Sequence, residues 1–379
     1  MPNPFEPPPG FRRETNYFRL PRTEALEKLK EAQKAMVEGG IISIYGPPGI
    51  GKSELVRQWS EQSPENVWVV VEFEDFFDLD AGISSYHYAY RYDYRLWAAL
   101  EKHFDDLKDE EPRQQAPYYR GEGSRFQGAV TRVLSASSQR VMLVLDGFHH
   151  AVAALNSGLV DGEAFDYFFW PYDYVKRQPE SRFVVVDWHP LEQRLQLDGI
   201  WQQLKDKLQP VRSVEVEPFS RQEVRRYMQA DGRVPWLRYA LTKMYRQTRG
   251  HPYFTNLLAW HGVKQAEDNG RIRAVVLPDV ELIESHIRSF GQEYVDYLDL
   301  DDLDNEQRRV LREVIRRLDR SDEQPDVNRN RILPPLPTAR PVSDILDELC
   351  AKGVLVCSGD RVGLTIPLLA DFLYSRLEA

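Results

Sequence analysis

Gly46-Pro47-Pro48-Gly49-Ile50-Gly51-Lys52-Ser53 fits the pattern G-x-x-x-x-G-K-[ST], and its surroundings decide the fold. The apolar run Ile41-Ile42-Ser43-Ile44-Tyr45 precedes it, and a helical stretch from Glu54 to Ser60 follows it. Strand, glycine loop and helix in that order predict a phosphate-binding loop, where a merely glycine-rich turn would lack the flanking elements. The glycines let backbone N–H groups curl around an anion with no Cβ in the way. Lys52 is expected to reach the β- and γ-phosphates as a point charge, Ser53 to give a hydroxyl to Mg²⁺, and the helix to present its positive end. The whole octet, from Gly46 through Pro47, Pro48, Gly49, Ile50, Gly51 and Lys52 to Ser53, is therefore the expected binding site for ATP or ADP.

Working outward, Val67–Val71, Val141–Leu145 and Phe183–Val186 are short, nearly continuous apolar runs rich in β-branched residues, and Val214-Glu215-Val216 is a weaker one. Such runs separated by helical stretches predict an α/β fold: a parallel sheet with helices on both faces. The third run ends in Asp146. A carboxylate at the C-terminal edge of a buried strand, beside a phosphate loop, is placed to hold the water shell of magnesium, so Ser53 and Asp146 are the expected metal residues.

After Pro218 the pattern is helical, starting at Ser220 with Glu223 three residues on as a capping box. Asn305–Leu318 reads as an amphipathic helix, Asp319–Thr338 as a polar linker, and Val342–Ala351 as a second helix stopped by Gly353. Val354–Val356 and Arg361–Leu364 flank the turn Ser358-Gly359-Asp360, which predicts a hairpin and hence a winged-helix module. The expected organisation is a Pro-rich extended arm (1–16), a P-loop NTPase domain (17–218), an all-helical lid (219–302) and a winged-helix domain (303–379).

Composition narrows the classes. At 42% hydrophobic and 28% charged residues the chain has the material for packed cores, and its formal net charge of −10 opposes general affinity for a phosphate backbone. The two cysteines, Cys350 and Cys357, read as separate thiols of a reducing cytosol, with a disulfide as the lesser alternative. No export signal opens the sequence and no apolar run approaches a membrane span, so a cytoplasmic protein without membrane contact is expected.

Fast hydrolysis needs a group that orients the attacking water. Asp146 is followed by Gly147-Phe148-His149-His150, with no carboxylate. Lys52, Asp146 and His149 are thus the candidate catalytic residues, with His149 either orienting water or serving the structure. The expectation is slow turnover.

These residues resemble the signal-transduction NTPases called STAND, relatives of the AAA+ and origin-recognition ATPases that include NACHT and apoptotic-type ATPases. Asp146-Gly147-Phe148 is similar to the Asp-Gly-aromatic run of NACHT proteins. Gly250-His251-Pro252 resembles the Gly-x-Pro element, which implies that Pro252 packs near adenine. Leu20-Pro21-Arg22-Thr23-Glu24 is similar to the Gly-Arg-Glu motif, which makes Arg22 a nucleotide-binding candidate. Val216–Val224 resembles the run into the helical lid, and Ile366-Pro367-Leu368-Leu369 to Leu373 the usual end of the winged helix. The chain departs from the pattern in three places: His149 and His150 replace the usual carboxylates, Asp187-Trp188 stands where an arginine sensing the γ-phosphate is often found, and 303–379 contains no histidine. The resemblance implies an ATP-binding switch that controls a separate protein partner or a nucleotide-dependent homo-oligomer, in bacterial members often in defence against phage.

The alternative from another class is a DNA-acting AAA+ ATPase, origin-recognition-like or a transposition regulator. The would-be reading helix, Val342 to Lys352, carries Asp344, Asp347 and Glu348 against Lys352, so nucleic acid is not the expected partner. A third reading is a nucleotide-bound scaffold, with Tyr86-His87-Tyr88-Ala89-Tyr90-Arg91-Tyr92-Asp93-Tyr94 as either a partner surface or an aromatic packing insert.

Overall fold

The protein is described here in a computed structural model. It describes residues 22–36, 39–74, 76–77, 85–110, 112, 125–137, 139–178, 180–229, 236–268, 291–292, 294–298, 300, 303–318, 326–332 and 338–378. The expected extended arm, 1–16, lies outside them, as do Leu20, Pro21 and much of the linker expected at 319–338. The chain divides into two compact units, one of Pro21–Gly46 with Gly51–Glu217, the other including Pro47–Ile50 and Pro218–Ala379.

The first unit is built on five strands: β1 Gly40–Tyr45, β2 Val67–Glu72, β3 Val141–Asp146, β4 Arg182–Asp187 and β5 Val211–Glu215. All neighbours pair in parallel, in the order β2-β3-β4-β1-β5. β3 and β4 are buried along their whole length, which is why they read as unbroken apolar runs. β5 starts three residues earlier than its apolar residues suggest. It sits at the sheet edge, where Arg212 is exposed and Ser213 half-buried, so only part of it carries an apolar signal. The helices are α1 Thr23–Lys34, α2 Lys52–Gln62, α3 Ser85–Leu100, α4 Arg125–Ala136, α5 His149–Asn156, α6 Gly162–Tyr167, α7 Tyr172–Val175, α8 Leu191–Arg194 and α9 Ile200–Lys207.

The Tyr-rich stretch lies in α3, and helical periodicity splits it. Tyr88, Tyr92 and Asp93 turn into the core, whereas Tyr94 is 42% exposed. The buried Asp93 carboxylate accepts from the Tyr167 hydroxyl at 2.7 Å and the Trp170 indole at 3.0 Å, so its charge is hydrogen-bonded on both oxygens. Phe73, Tyr92, Phe148 and Phe168 pack edge-on or offset against one another, and the stretch is chiefly the packing insert of the two readings.

The second unit holds α10 Arg221–Gln229, α11 Arg238–Thr248, α12 Pro252–Asp268, α13 Asn305–Arg317, α14 Arg329–Ile332, α15 Val342–Ala351 and α16 Ala370–Glu378, with β6 Asp326–Asn328, β7 Leu355–Ser358 and β8 Arg361–Leu364. One core runs through it, including Val224, Met244, Phe254, Leu311, Ile345 and Val362. The expected capping box at Ser220 forms: Ser220 N–H donates to Glu223 at 2.7 Å and Glu223 N–H to the Ser220 hydroxyl at 3.2 Å. The polar segment after α13 is not all linker, because Asp326–Asn328 adds an antiparallel strand to the hairpin, giving the order β6-β8-β7. A three-residue strand with one buried side chain leaves almost no apolar pattern to read. The expectation of two separate thiols is also corrected: Cys350, in the last turn of α15, and Cys357, in β7, form a disulfide across the Gly353 turn, with Cα atoms 6.1 Å apart. Among the described residues no helix is long and apolar enough to cross a membrane.

Candidate nucleotide site

The phosphate loop leaves β1 and enters α2 through Gly51, whose φ of +92° is a left-handed conformation that side chains other than glycine adopt at a cost. A Cβ there would also meet the Arg22 guanidinium at 3.4 Å. Arg22 is itself held in place: its backbone N–H donates to Gln58 Oε1 at 2.9 Å and its Nη1 to the Glu217 carbonyl at 2.8 Å. The guanidinium thus lies against the turn that starts α2, where its positive charge and the positive end of the helix act on an anion in the same sense. Lys52 is buried, and its Nζ donates to the Gly46 carbonyl at 2.8 Å, spanning the loop from end to start.

Ser53 and Asp146 come together as expected. β3 pairs with β2 up to Glu72↔Asp146, so the carboxylate sits at the very end of the ladder. The Ser53 hydroxyl donates to its Oδ1 at 3.0 Å. One hydroxyl and one carboxylate at that separation suit magnesium, which keeps several waters and takes its other ligands from phosphate oxygens rather than from an all-protein cage. Among the described residues no cluster of three or more His, Cys, Asp or Glu offers such a cage.

His149 opens α5, immediately after the turn that follows Asp146. Its ring stacks on Trp188 with centroids 4.1 Å apart and lies 4.0 Å from that of His150. Burial, then the neighbouring His150, then the charges of Lys52 and Arg194 pull its proton affinity down to about 2, so the imidazole is neutral at physiological pH. Its Nδ1 is buried and makes no hydrogen bond among the described residues. A neutral ring fixed by stacking can accept a hydrogen bond from water but is a weak proton acceptor.

Arg194 is the residue that sequence reading missed. The short helix α8 brings it back to the end of β4, where its Nε donates to Asp187 Oδ2 at 2.5 Å and its Nη2 to Oδ1 at 3.2 Å. Asp187 is fully buried and Arg194 nearly so. A signal was present: an acid ending an unbroken apolar strand needs a compensating cation nearby, and Arg194 is the first arginine after it.

Pro252 belongs to the second unit and is the first residue of α12, where its missing N–H costs nothing. The turn before it is tightly constrained. Gly250 has φ +78°, and a Cβ there would fall 1.8 Å from the Phe219 carbonyl oxygen. His251 is buried, with Nε2 2.9 Å from the Pro48 carbonyl oxygen. Arg249 reaches the other way, its Nε donating to the Leu364 carbonyl at 2.7 Å and its Nη2 to Asp326.

Comparison with known proteins bears on the fold. Residues 20–158 match the AAA ATPase domain family. That match covers β1 to β3 with the phosphate loop and Asp146. The fold resembles that of the Walker-type ATPase PABY2304 of Pyrococcus abyssi, with a TM-score of 0.58 at 10% identity over 94% of this chain and 96% of that one. It also resembles the ORC2 protein of Aeropyrum pernix, solved in ADPNP–ADP complexes, with a TM-score of 0.54 at 13% identity over 95% of this chain and 93% of that one. No curated protein sequence matches the chain. The chain is thus an α/β protein with a P-loop NTPase-like parallel sheet, and its residues 20–158 match the AAA ATPase domain family.

Proposed function

We propose that the protein is an ATP-binding molecular switch of the STAND type, which hydrolyses ATP slowly and in doing so controls a protein partner or its own assembly. The observation that carries this reading is the contrast around Asp146. Lys52 spans the loop and Ser53 meets Asp146, while the residue that follows at the start of α5 is His149 with a neutral imidazole, not a carboxylate. When bound, Mg²⁺ would neutralise phosphate charge between Ser53 and Asp146. Lys52 and Arg22 would then hold the phosphates, and His149 would orient water without taking its proton. Such a site retains nucleotide better than it turns it over, as a switch requires.

In the same reading α10 to α12 form the lid (219–302) and the elements from α13 onward form a winged helix (303–379). By the resemblance to STAND proteins, the proposed setting is bacterial defence against phage. Denaturing the purified protein and identifying what is released tests the core of the proposal. Bound ATP or ADP is expected, and an empty protein that binds neither nucleotide would refute it.

The second reading, a DNA-acting AAA+ ATPase, is favoured by the fold shared with the ORC2 protein. Against it, α15 carries Asp344, Asp347 and Glu348 and no basic residue of its own; Arg329 pairs with Asp347, and Arg340 with Glu348 at 2.9 Å. A salt-resistant, sequence-dependent affinity for duplex DNA would decide for the second reading.

A further inference from the structure

We propose that the outer face of α10 and α11 is a docking surface for a partner protein, and that the partner presents an acidic amphipathic helix to it. The inference rests on the reading of the protein as a switch that controls a partner, and deepens it by giving the surface and the chemistry of what it meets.

The sequence concentrates positive charge there. From Arg221 to Arg249 it holds eight lysines or arginines against two acids, Glu223 and Asp231, in a chain whose formal net charge is −10. Elsewhere in the same unit arginines meet acids. Arg340 pairs with Asp304 at 2.7 Å and with Glu348 at 2.9 Å, Arg317 pairs with Glu313, and Arg249 with Asp326. On α10 and α11, by contrast, Arg225 and Arg238 are exposed and pair with no acid among the described residues. Arg221 is exposed too, and its Nη2 donates to the Thr242 hydroxyl at 3.2 Å. Glu223 is engaged in the capping box, where it accepts from the Ser220 N–H. Exposed arginines need no acid partner for stability. A cluster of one sign in an acidic chain, however, makes a local positive field that draws in and orients an anionic partner.

Geometry narrows the partner. The Arg221–Thr242 bond sets the two helices side by side, and the Thr242 hydroxyl donates in turn to the Arg238 carbonyl at 3.0 Å. Arg225 lies one turn along α10 from Arg221, and Arg238 one turn before Thr242 on α11, so these three arginines mark the seam between the helices. Side chains four apart on a helix stand about 5–6 Å apart, which is also the interval between carboxylates four apart on a partner helix. On either side of Arg238 in the chain, Leu237 is 45% and Tyr239 68% exposed. Arginine with tyrosine is the pairing that carries binding energy in protein interfaces. A phosphate backbone would use the arginines but gives Leu237 nothing to pack on, whereas the apolar stripe of an amphipathic helix covers leucine and tyrosine alike.

The probe is a fluorescein-labelled helical peptide with Glu at i and i+4 and Leu along the same face, titrated into the full chain at about 0.15 M salt and followed by anisotropy. A peptide of the same residues in scrambled order and a random-sequence DNA duplex are the controls. The wild-type protein is expected to bind the ordered peptide at least about tenfold more tightly than the scrambled one. Arg225→Glu/Arg238→Glu is expected to lose at least about tenfold in affinity, and Tyr239→Ala several fold, with unchanged circular dichroism because all three side chains are exposed. No binding of the ordered peptide, equal binding of both peptides, or equal affinity in wild type and variants overturns the proposal. Tighter binding of the duplex, lost in the arginine variant, would assign the face to nucleic acid. A wild-type oligomer that dissociates in that variant would assign it to a second copy of the chain. Either of these also overturns it. A protein that ignores the peptide yet releases ATP or ADP on denaturation refutes this inference and leaves the nucleotide-site reading standing.

Discussion

β1 and β4 lie side by side in the sheet, and their ends handle charge in opposite ways. β1 runs into a glycine loop whose cation, Lys52, comes six residues after Gly46 in the same unbroken motif. β4 ends in an acid, Asp187, whose cation arrives from α8 after the chain has turned back. The first end is written in consecutive residues, while the second exists only after folding. A contiguous loop can be recognised by spacing because backbone geometry fixes it; a returning side chain has no fixed spacing to recognise.

The β4 end is the place to break the comparison hardest. Asp187→Ala leaves the Arg194 guanidinium in a dry site with no carboxylate, and loss of one partner from a buried pair typically costs about 3–5 kcal/mol. A fall in unfolding free energy of that size is expected by denaturant titration, and a change below about 1 kcal/mol, the range of an exposed pair, would show that the site is wet. At the β1 end, Lys52→Ala removes a charged donor from the phosphates. Hydrogen bonds to charged groups are worth about 1.5–3 kcal/mol, so ATP affinity is expected to fall roughly 10- to 150-fold. Unchanged affinity by calorimetry would remove Lys52 from the phosphate site.

His149 stands between the two ends and sharpens the comparison through pH. Its proton affinity is lowered from an ordinary 6.5 to about 2, first by burial and then by His150, Lys52 and Arg194. Above pH 6.5 neither the folded nor the unfolded chain carries a proton there, and the full stability is present. As pH falls from 6.5 toward 2 the unfolded chain binds the proton and the folded one does not, so this residue contributes a loss of up to about 1.4 kcal/mol per pH unit. Stability measured between pH 6 and pH 4 is expected to decline less steeply for His149→Gln than for the wild-type protein. Equal slopes would mean that the imidazole is solvated.

The same contrast explains what could be read in advance. The strands β1 to β4 and the trio Lys52, Ser53 and Asp146 were legible because a doubly covered parallel sheet makes continuous apolar runs and the loop has a fixed register. β5 was read three residues late because an edge strand is only half apolar. β6 was invisible because three residues with one buried side chain carry no period. The Tyr-rich run left a partner surface and a packing insert open, and its buried residues Tyr88 and Tyr92 are four apart, the spacing of a helix face. The disulfide between Cys350 and Cys357 depends on a turn bringing α15 against β7, which two cysteines in a sequence do not announce.

Steady-state phosphate release by the isolated protein tests the central claim most directly. With Lys52, Ser53 and Asp146 in place but only a neutral His149 to orient water, turnover is expected far below the roughly 1–100 s⁻¹ of typical phosphoryl-transfer enzymes, and lower still in His149→Ala, which should keep its nucleotide affinity. Release at or above about 1 s⁻¹ without any partner, unaffected by His149→Ala, would contradict the account and mark the protein as an efficient ATPase with a different catalytic group.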